Sequence, residues 1–371
     1  MTKIQQLYKL GQSVWLDYIS RGFINSNGLK HMIDLGIHGV TSNPTIFEKA
    51  ISDSSDYDAD IHKLAREGKS TLEIYNCLTI DDIQRAADLF LPIYSESGEN
   101  DGFVSLEVNP RFANDTQRTL AEAKNLWATV DRPNLMIKIP ATKKGLPAIR
   151  QTIAAGINVN VTLIFSISRY KEVIAAYLEG LQERFNNNQP VDNIASVASF
   201  FVSRMDTKVD QLLQNKIQVD EIKAADAQSI MGKSAIANTK LAYQEFLKTF
   251  EKEPFQALKK AGAKLQRPLW ASTSTKNPQY SDILYIQELI AANSVNTAPQ
   301  ETINAFMDHG FARMTIQDNL QEASEVMERL SELRISMDQV TELLEKEGVN
   351  SFTNSFDRLM ESLEQKRSQV L

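Results

Sequence analysis

The chain has 371 residues and a formal net charge of −7, and no basic block is interleaved with aromatic residues, which disfavours nucleic-acid binding. No apolar run approaches the ~18 residues of a membrane-spanning helix, and no signal-peptide pattern follows Met1. The single cysteine, Cys77, predicts a cytoplasmic location without disulfides, the four histidines lack metal-ligand spacing, and no nucleotide-binding glycine motif occurs, so we expect no metal and no cofactor.

Short segments along the chain alternate apolar and polar residues, as β-strands with one covered face do. In the segment from Val104 to Asn109, for example, Ser105 and Glu107 share the polar face. The eight candidate strands lie near residues 13–17, 39–43, 104–109, 135–140, 157–165, 196–203, 267–273 and 294–298.

Between these segments, apolar residues recur at spacings of three and four, which predicts amphipathic helices. Asn114 or Asp115 is a candidate N-cap for the helix in which Leu120, Ala123 and Trp127 form such a stripe. Repeated alternation of strand and helix predicts an α/β protein with a (β/α)8 TIM-type barrel, and an open doubly wound sheet is the alternative. In a barrel, polar residues near the C-terminal ends of the strands collect at one mouth, where active sites lie.

The domain organisation follows from the absence of a linker rich in glycine, serine or proline. We therefore expect one barrel domain over residues 1–371. Two long stretches between strands, near 44–103 and 205–266, are interpreted as helical insertions. The tail near 318–371 carries Glu, Leu and Met at helical spacing, which predicts a C-terminal extension of two helices packed on the barrel.

Lys138 is the charged residue of an otherwise apolar predicted strand, Leu135-Met136-Ile137-Lys138-Ile139-Pro140. Burying an ammonium group is costly unless it is paired or neutral. A neutral amine in a pocket can attack a carbonyl carbon and form a Schiff base. The alternative is a lysine that snorkels to the surface or forms an ion pair, for which Glu107 is a candidate partner.

A series of stretches carries motifs of a known family, in order and at plausible spacing. They are residues 39–47, 104–108, 136–142, 156–166, 199–204 and 267–273. On these residues the chain resembles the transaldolases, in their longer bacterial branch. The resemblance implies a cofactor-free barrel that moves a dihydroxyacetone unit between ketose and aldose phosphates in the non-oxidative pentose phosphate pathway. The reaction that the resemblance implies converts sedoheptulose 7-phosphate and glyceraldehyde 3-phosphate into erythrose 4-phosphate and fructose 6-phosphate.

The resemblance also implies roles for individual residues. Lys138 matches the Schiff-base lysine and Asp17 an acid/base aspartate. Glu107 matches a glutamate that acts through a water molecule, which Thr162 helps to hold. The residues expected to bind the substrate are Asn43, Asn160, Ser199, Arg204, Ser272 and Lys276.

The phosphate site departs from the pattern of shorter transaldolases, which place a second arginine soon after an Ala-Ser pair. This chain reads Ala271-Ser272-Thr273-Ser274-Thr275-Lys276-Asn277 at that place. We expect Lys276, together with Ser272, to bind phosphate as a compact cation. Strand alternation prevents Ser199 and Arg204 from both facing inward, so Arg204 is expected in the loop after its strand.

Two other functions stay open. One is another class I lysine aldolase, which releases free dihydroxyacetone or uses a different acceptor. The other is a non-catalytic barrel that binds sugar phosphates or a partner enzyme. Such a barrel would be expected to have lost Lys138, Glu107 or Asp17, and all of these are present. The expected partners are sugar phosphates, with no nucleic acid and no membrane, and a homo-oligomer is left open.

Overall fold

Eight parallel strands close into a barrel in the computed structural model, which describes residues 1–369. In chain order they are β1 (Gln12–Leu16), β2 (Gly39–Val40), β3 (Phe103–Glu107), β4 (Leu135–Pro140), β5 (Val159–Ile164), β6 (Ser196–Phe201), β7 (Gln266–Ala271) and β8 (Ser294–Ala298). Each strand pairs with the next, and β8 pairs with β1. The predicted TIM-type barrel is confirmed, and its closure excludes the open doubly wound sheet.

Helices surround this barrel. The first are α1 (Lys3–Lys9), α2 (Arg21–Asn25), α3 (Gly28–Leu35), α4 (Pro44–Ser52), α5 (Asp58–Arg66), α6 (Thr71–Glu96), α7 (Thr116–Val130), α8 (Gly145–Ala154) and α9 (Ile167–Asn186). They are followed by α10 (Ser203–Gln218), α11 (Ala224–Gln228), α12 (Ser234–Phe250), α13 (Phe255–Lys260), α14 (Leu284–Glu288), α15 (Gln300–His309), α16 (Leu320–Glu332) and α17 (Met337–Ser368). A short 3-10 helix, Pro110–Phe112, follows β3. Within residues 1–369, no helix combines the length and apolar character that crossing a membrane requires.

Two connections contain extra helices, as predicted. Helices α4, α5 and α6 lie between β2 and β3, and α10 to α13 lie between β6 and β7.

Local sequence signals mark the N-terminal ends of several helices. Ser70 and Glu73 form a reciprocal capping box at α6, and Asp115 accepts backbone N–H groups at the start of α7, because the first N–H groups of a helix have no partner within it.

Strand β2 ends earlier than the sequence predicted. The expected strand reached residue 43, whereas β2 stops at Val40. Asn43 instead caps α4, and its Oδ1 accepts the backbone N–H of Ile46 at 3.0 Å. Pro44 occupies the first turn of α4, where its missing N–H costs no hydrogen bond. The chain therefore leaves the sheet three residues sooner than expected.

The strands bury aliphatic residues on their outer face and polar residues on their inner face. Leu106 and Ile137 are fully buried beneath the helices, and the residues that alternate with them point into the barrel. β5 is irregular near its end, where its register to β6 shifts between Val161 and Ile164. Leu163 adopts a φ of +60° there, so the strand bends at the level of the C-terminal mouth.

Helix α10 carries a buried carboxyl group that links several helices. Asp206 is 1% exposed and accepts the backbone N–H of Ala235 at 2.7 Å and the hydroxyl of Tyr285 at 2.9 Å. Burial raises the pKa of Asp206 to about 7, although both hydrogen bonds oppose the shift. The same helix bears Asp210, whose Oδ2 accepts the hydroxyl of Tyr280 at 2.7 Å.

The C-terminal tail consists of two helices packed on the barrel, as predicted, but the path of the second was not foreseen. Helix α17 contacts α4, α5, α6 and α10 and also reaches β5. Gly348 on α17 lies against Leu163 at the bend of β5. Ion pairs hold the helix in place, Arg358 with Glu48 and Lys366 with Asp58. Because its neighbours follow the C-terminal ends of strands, α17 crosses the mouth at which active sites lie.

Candidate active site

Lys138 lies inside the barrel and is 4% exposed. Its Nζ donates a hydrogen bond to the carbonyl oxygen of Ser42 at 3.0 Å and lies 3.3 Å from Oε2 of Glu107. The strand register explains this pairing, since Lys138 is the Cα partner of Glu107 on β3 and of Asn160 on β5. The ion pair weighed from the sequence is thus present, and it places a carboxyl group beside the amine.

Glu107 is a buried carboxyl group beside the amine of Lys138. It is 6% exposed, and neither of its side-chain oxygens has a hydrogen-bond partner among residues 1–369. Burial raises the pKa of Glu107 to about 7, because the attraction of Lys138 only partly offsets desolvation and the charge of Asp17 adds to the rise. This carboxyl group can therefore both release and accept a proton near neutral pH.

Thr162 shares the inner face of the barrel with Lys138. It lies on β5 two residues after Asn160 and pairs with Pro140 of β4. Its Oγ1 is buried and has no hydrogen-bond partner in the part of the chain that the structure describes. Unpaired buried hydroxyl groups are uncommon because losing water without a replacement is costly. Thr162 and Glu107 thus both present free hydrogen-bonding capacity to the interior.

Asn160 is held by hydrogen bonds on both sides of its amide. Its Oδ1 accepts the hydroxyl of Ser199 at 2.7 Å, and its Nδ2 donates to Oγ of Ser105 at 3.0 Å. Ser199 is 1% exposed and Asn160 is fully buried. The amide nitrogen has a second N–H, and the fixed orientation of the side chain makes this group available to a ligand beside Lys138.

Asp17 follows directly after β1 and is half-buried. Its backbone N–H continues the ladder to Ala298 at 2.9 Å, and its Oδ1 accepts the hydroxyl of Thr41 at 2.7 Å. The negative charge of Asp17 influences Glu107 on one side and the cations Arg204 and Lys276 on the other. Asp17 therefore lies between the pocket of Glu107 and Lys138 and the two cations Arg204 and Lys276.

Asn43 lies next to Ser42, whose carbonyl oxygen accepts a hydrogen bond from Nζ of Lys138. The side-chain oxygen of Asn43 is used in capping α4. Its amide nitrogen forms no hydrogen bond to the residues described here. The cap fixes the side chain in place, so the structural role and a substrate-binding role are compatible.

Arg204 lies in the first turn of α10, and the expectation that it occupies a loop is wrong. β6 ends at Phe201 and α10 begins at Ser203, so the chain enters the helix almost at once. The guanidinium group lies over the ring of Phe201, 5.4 Å from its centroid. Burial lowers the pKa of Arg204, while Asp17 and Glu347 oppose this shift. Among residues 1–369 it forms no ion pair, so this half-buried cation is available to an anionic ligand.

Lys276 lies at the exposed rim of the same mouth, in the loop after β7. Its Nζ donates to Oγ of Ser274 at 2.7 Å. Partial desolvation by the surrounding protein lowers the pKa of Lys276, and the charge of Arg204 lowers it further. Two cations that repel each other in this way form a site of positive potential, as binding of a phosphate dianion requires.

Ser272 joins the loop of Lys276 to the helix of Arg204. Its Oγ is 2.9 Å from Oγ of Ser203, and its carbonyl oxygen accepts the backbone N–H of Ser203 at 3.0 Å. Ser272 has a φ of +56°, a left-handed conformation that turns the chain sharply at the end of β7. The structure therefore brings Ser272, Arg204 and Lys276 to one side of the mouth.

Phe352 on α17 is the main contributor to the pocket that the sequence did not predict. Its ring centroid is 5.6 Å from Nζ of Lys138, and the side chain is 3% exposed. The helical pattern of the tail indicated an apolar stripe but not the surface that it covers. A second unpredicted contributor is the carbonyl oxygen of Ser42, because any residue type supplies the same backbone group.

Comparison with known proteins agrees with this geometry. Residues 14–363 match the family model described as transaldolase/fructose-6-phosphate aldolase. A protein of Trichodesmium erythraeum named transaldolase is 48% identical over 366 residues, which cover 97% of this chain and 96% of the relative. Relatives with the same name from Saccharopolyspora erythraea and Thermobifida fusca are 47% and 46% identical, and the matches cover 100% and 98% of this chain and 99% and 97% of the relatives. The chain belongs to the transaldolase/fructose-6-phosphate aldolase family.

Proposed function

We propose that this protein is a transaldolase that transfers a dihydroxyacetone unit between ketose and aldose phosphates through a Schiff base on Lys138. The observation that carries this proposal is the pairing of a buried amine with a buried carboxyl group, Nζ of Lys138 and Oε2 of Glu107, at 3.3 Å. Relatives that match the chain over nearly its whole length bear the name of this activity.

Schiff-base formation uses both members of this pair. Neutral Lys138 attacks the ketose carbonyl carbon, the oxygen takes up a proton, and a carbinolamine results. The loss of water from the carbinolamine requires a proton donor. Glu107 suits this role because its pKa is about 7. A water molecule held between Glu107 and Thr162, whose hydroxyl has no partner in the described chain, would carry the proton.

Cleavage of the C3–C4 bond follows from the iminium group. A base takes the proton of the C4 hydroxyl, the electron pair of the bond moves into the iminium, and the aldose phosphate leaves. Asp17 is our candidate for this base, held by the hydroxyl of Thr41 at 2.7 Å. The enamine on Lys138 then attacks the carbonyl of a second aldose phosphate. Asn43 and Asn160 hold the hydroxyl groups, because their amides bind without offering an acidic proton.

The phosphate group of the substrate is assigned to the rim. Arg204 is a half-buried cation with no carboxylate partner among residues 1–369, and Lys276 and Ser272 lie on the neighbouring loop. An arginine can bind two phosphate oxygens at once, whereas a lysine acts as a point charge. We therefore assign the stronger phosphate contact to Arg204 and a supporting contact to Lys276 and Ser272. Ser199 acts at a distance from the phosphate, by orienting Asn160.

Borohydride trapping tests the covalent mechanism. The protein is incubated with fructose 6-phosphate, reduced, digested and analysed by peptide mass mapping. We expect a reduced three-carbon adduct on Lys138, and its amount should fall when erythrose 4-phosphate is added before the reductant. Lys138→Ala should form no adduct and show no turnover. A folded protein that forms no adduct, or an adduct on another lysine, would overturn the proposal.

An aldolase that releases free dihydroxyacetone is the second candidate, because the description of the matching family includes both activities. The two are separated by incubating the protein with fructose 6-phosphate and no acceptor. A transaldolase should release little free dihydroxyacetone until an aldose phosphate is supplied. Sustained release at the rate of the transfer reaction would favour the aldolase.

We propose the remaining properties on more general grounds. Residues 1–371 form one domain, in support of which α17 contacts helices from both insertions, and limited proteolysis should yield no stable fragment. Sugar phosphates are the partners, and the net charge of −7 disfavours nucleic acid. A cytoplasmic location rests on the single cysteine and is tested by cell fractionation. A homo-oligomer stays an open prediction, which analytical ultracentrifugation decides.

A further inference from the structure

A second cavity lies at the opposite end of the barrel. It has a volume of about 570 Å³ and is lined by the N-terminal ends of several strands together with residues of α13 and the end of α1. Met136, which lines it, precedes Lys138 by two residues on β4. The cavity therefore opens on the face opposite to the candidate active site. Its size is that of a pocket for a small molecule, roughly 300–1,000 Å³.

Asp101 projects into this cavity and is only partly satisfied. It is 2% exposed, and its Oδ1 accepts the indole N–H of Trp15 at 2.9 Å. Its Oδ2 has no hydrogen-bond partner among residues 1–369. The basic side chains nearest to Oδ2 are Arg267, whose Nη1 is 3.5 Å away, and His38, whose Nδ1 is 3.6 Å away. These distances exceed those of charge-assisted hydrogen bonds, which are about 2.7–2.9 Å.

Arg267 is unsatisfied in the same way. It lines the cavity from β7, and its Nη2 is buried without a partner in the part of the chain described by the structure. A buried donor and a buried acceptor that both lack partners cost free energy in a folded protein. Arg267 and Asp101 are close enough to attract each other, yet each retains unused hydrogen-bonding capacity. Together they can hydrogen-bond a ligand that carries both an acceptor and a donor.

The charge of the cavity selects the kind of ligand. Three cationic side chains line it, Lys259, Lys264 and Arg267, against one carboxylate, Asp101. Lys264 donates to the carbonyl oxygen of Glu99 at 2.8 Å and is 3.6 Å from its carboxylate. The lining thus has an excess of positive charge on a chain whose net charge is −7. A local excess of this sign favours an anion.

We propose that this cavity binds a small organic anion. A carboxylate or phosphate group is bound by Arg267 and Lys264, and a hydroxyl or amine on the same molecule donates to Oδ2 of Asp101. This site is independent of the proposed transfer reaction, because none of its residues belongs to the candidate active site.

Isothermal titration calorimetry tests the proposal with two probes, citrate and glycerol 3-phosphate, each of which carries both an anionic group and a hydroxyl. Both are titrated into the double variant Arg204→Gln/Lys276→Gln, in which the anion site at the other mouth is removed. We expect saturable binding of at least one probe to a single site. Binding of citrate alone would identify a carboxylate ligand, and binding of glycerol 3-phosphate alone a phosphate ligand.

Substitutions then locate the binding site. In this background, Arg267→Gln should weaken binding about tenfold or more, since losing one charge-assisted hydrogen bond costs about 1.4 kcal/mol. Lys264→Gln should weaken it severalfold and guards against a folding defect that Arg267→Gln could cause by leaving Asp101 without its cation. Lys233→Gln, an exposed lysine paired with Glu322, is the matched control and should bind normally.

Two results of these titrations would overturn the proposal. One is the absence of saturable binding of both probes up to about 1 mM, the range of weak metabolite affinity. Another is binding that neither Arg267→Gln nor Lys264→Gln weakens in folded protein, which would place the anion elsewhere.

Discussion

At the scale of single residues, Glu107 determines how the reaction should depend on pH. Its buried carboxyl group has a pKa of about 7, and the protonated form is the one that donates a proton to the carbinolamine. The rate of adduct formation in the trapping experiment should therefore fall as the pH rises through about 7. Glu107→Gln should lower this rate by roughly 100-fold and remove that decline, because general acid catalysis contributes at least this much.

Glu122→Gln is the matched control for this prediction. Glu122 is a half-buried glutamate on α7 whose pKa is also raised by burial, but it hydrogen-bonds to the backbone of Asn109. Its substitution should leave the rate and its pH dependence unchanged. Unaltered kinetics in Glu107→Gln would remove Glu107 from the proposed role.

The two rim cations should differ in their effect on phosphate binding. We expect Arg204→Gln to raise KM for fructose 6-phosphate at least about tenfold, because a half-buried bidentate donor is lost. Lys276→Gln should raise KM severalfold, with a smaller change in kcat. Neither should affect the much weaker reaction of unphosphorylated fructose. An unchanged KM in Lys276→Gln would place the second phosphate contact on another residue.

Most of the candidate site could be predicted at the residue scale because strand alternation places side chains. Lys138, Glu107, Asn160 and Thr162 each lie on the polar face of their own predicted strand, and the structure places these side chains on the inner face of the barrel. The capping role of Asn43 beside its expected role in substrate binding could also have been predicted, because an asparagine before a proline is typical of a helix cap. The pKa of Glu107 could not be predicted from the sequence, because it depends on how completely distant segments exclude water from the carboxyl group.

At the scale of elements, α17 is the feature that sequence patterns left undetermined. Its helical periodicity was visible, but periodicity indicates that a helix has an apolar face and not which surface receives it. The bend of β5 at Leu163 was equally invisible, because a leucine in left-handed conformation has no sequence signal. Arg204 was misplaced for a related reason, as α10 begins only two residues after β6 ends.

Helix α17 should protect the enamine intermediate from water. Phe352 lies over the amine of Lys138, so Phe352→Ala should open the pocket and allow protonation of the enamine. We expect the ratio of free dihydroxyacetone released to unit transferred to increase severalfold. The substitution should also destabilise the fold by about 3–5 kcal/mol, the usual cost of truncating a buried phenylalanine.

Phe352→Leu is the matched variant, since it retains most of the apolar volume and should keep the ratio near that of the parent protein. Product analysis with and without an acceptor aldose measures the ratio directly. If folded Phe352→Ala releases no more dihydroxyacetone than the parent, Phe352 has a packing role alone.

At the scale of the whole molecule, the eight strands and the closed barrel could be predicted because each strand–helix unit leaves its own local pattern. The hydrogen bonds that join separate helices could not be predicted, because they form between residues far apart in the chain. Asp206 illustrates this, because its partners Ala235 and Tyr285 lie in other segments. In the sequence it is one of many acidic residues on a charged helix.

Buried carboxyl groups should make the stability of the fold depend on pH. The pKa values of Glu107 and Asp206 are about 7 in the folded protein, above the value of about 4 for unfolded chains. The folded state therefore binds protons more tightly, and the resulting stabilisation, complete below pH ~4, is lost as the pH rises through about 7. Between pH ~6 and ~8 we expect each group to contribute a loss of about 1 kcal/mol.

Urea unfolding at these two pH values measures the effect. The midpoint should be higher at the lower pH, and Asp206→Asn should reduce the difference because the amide does not titrate. Asp226→Asn, which alters a carboxylate at the surface beside Arg329, should leave the difference unchanged. A midpoint that is equal or higher at the alkaline pH would contradict the prediction.

The position of Phe352 far downstream of Lys138 in the chain has a consequence for protein synthesis. The strand bearing Lys138 ends at Pro140 and is translated nearly two hundred residues before the helix that covers it, which begins at Met337. During translation the strand that bears Lys138 emerges from the ribosome before the helix that covers it, and the pocket is complete only when α17 has emerged and docked. Any translation product that stops before Phe352 would carry the nucleophile without its cover. Completion of the pocket is thus tied to the synthesis of α17.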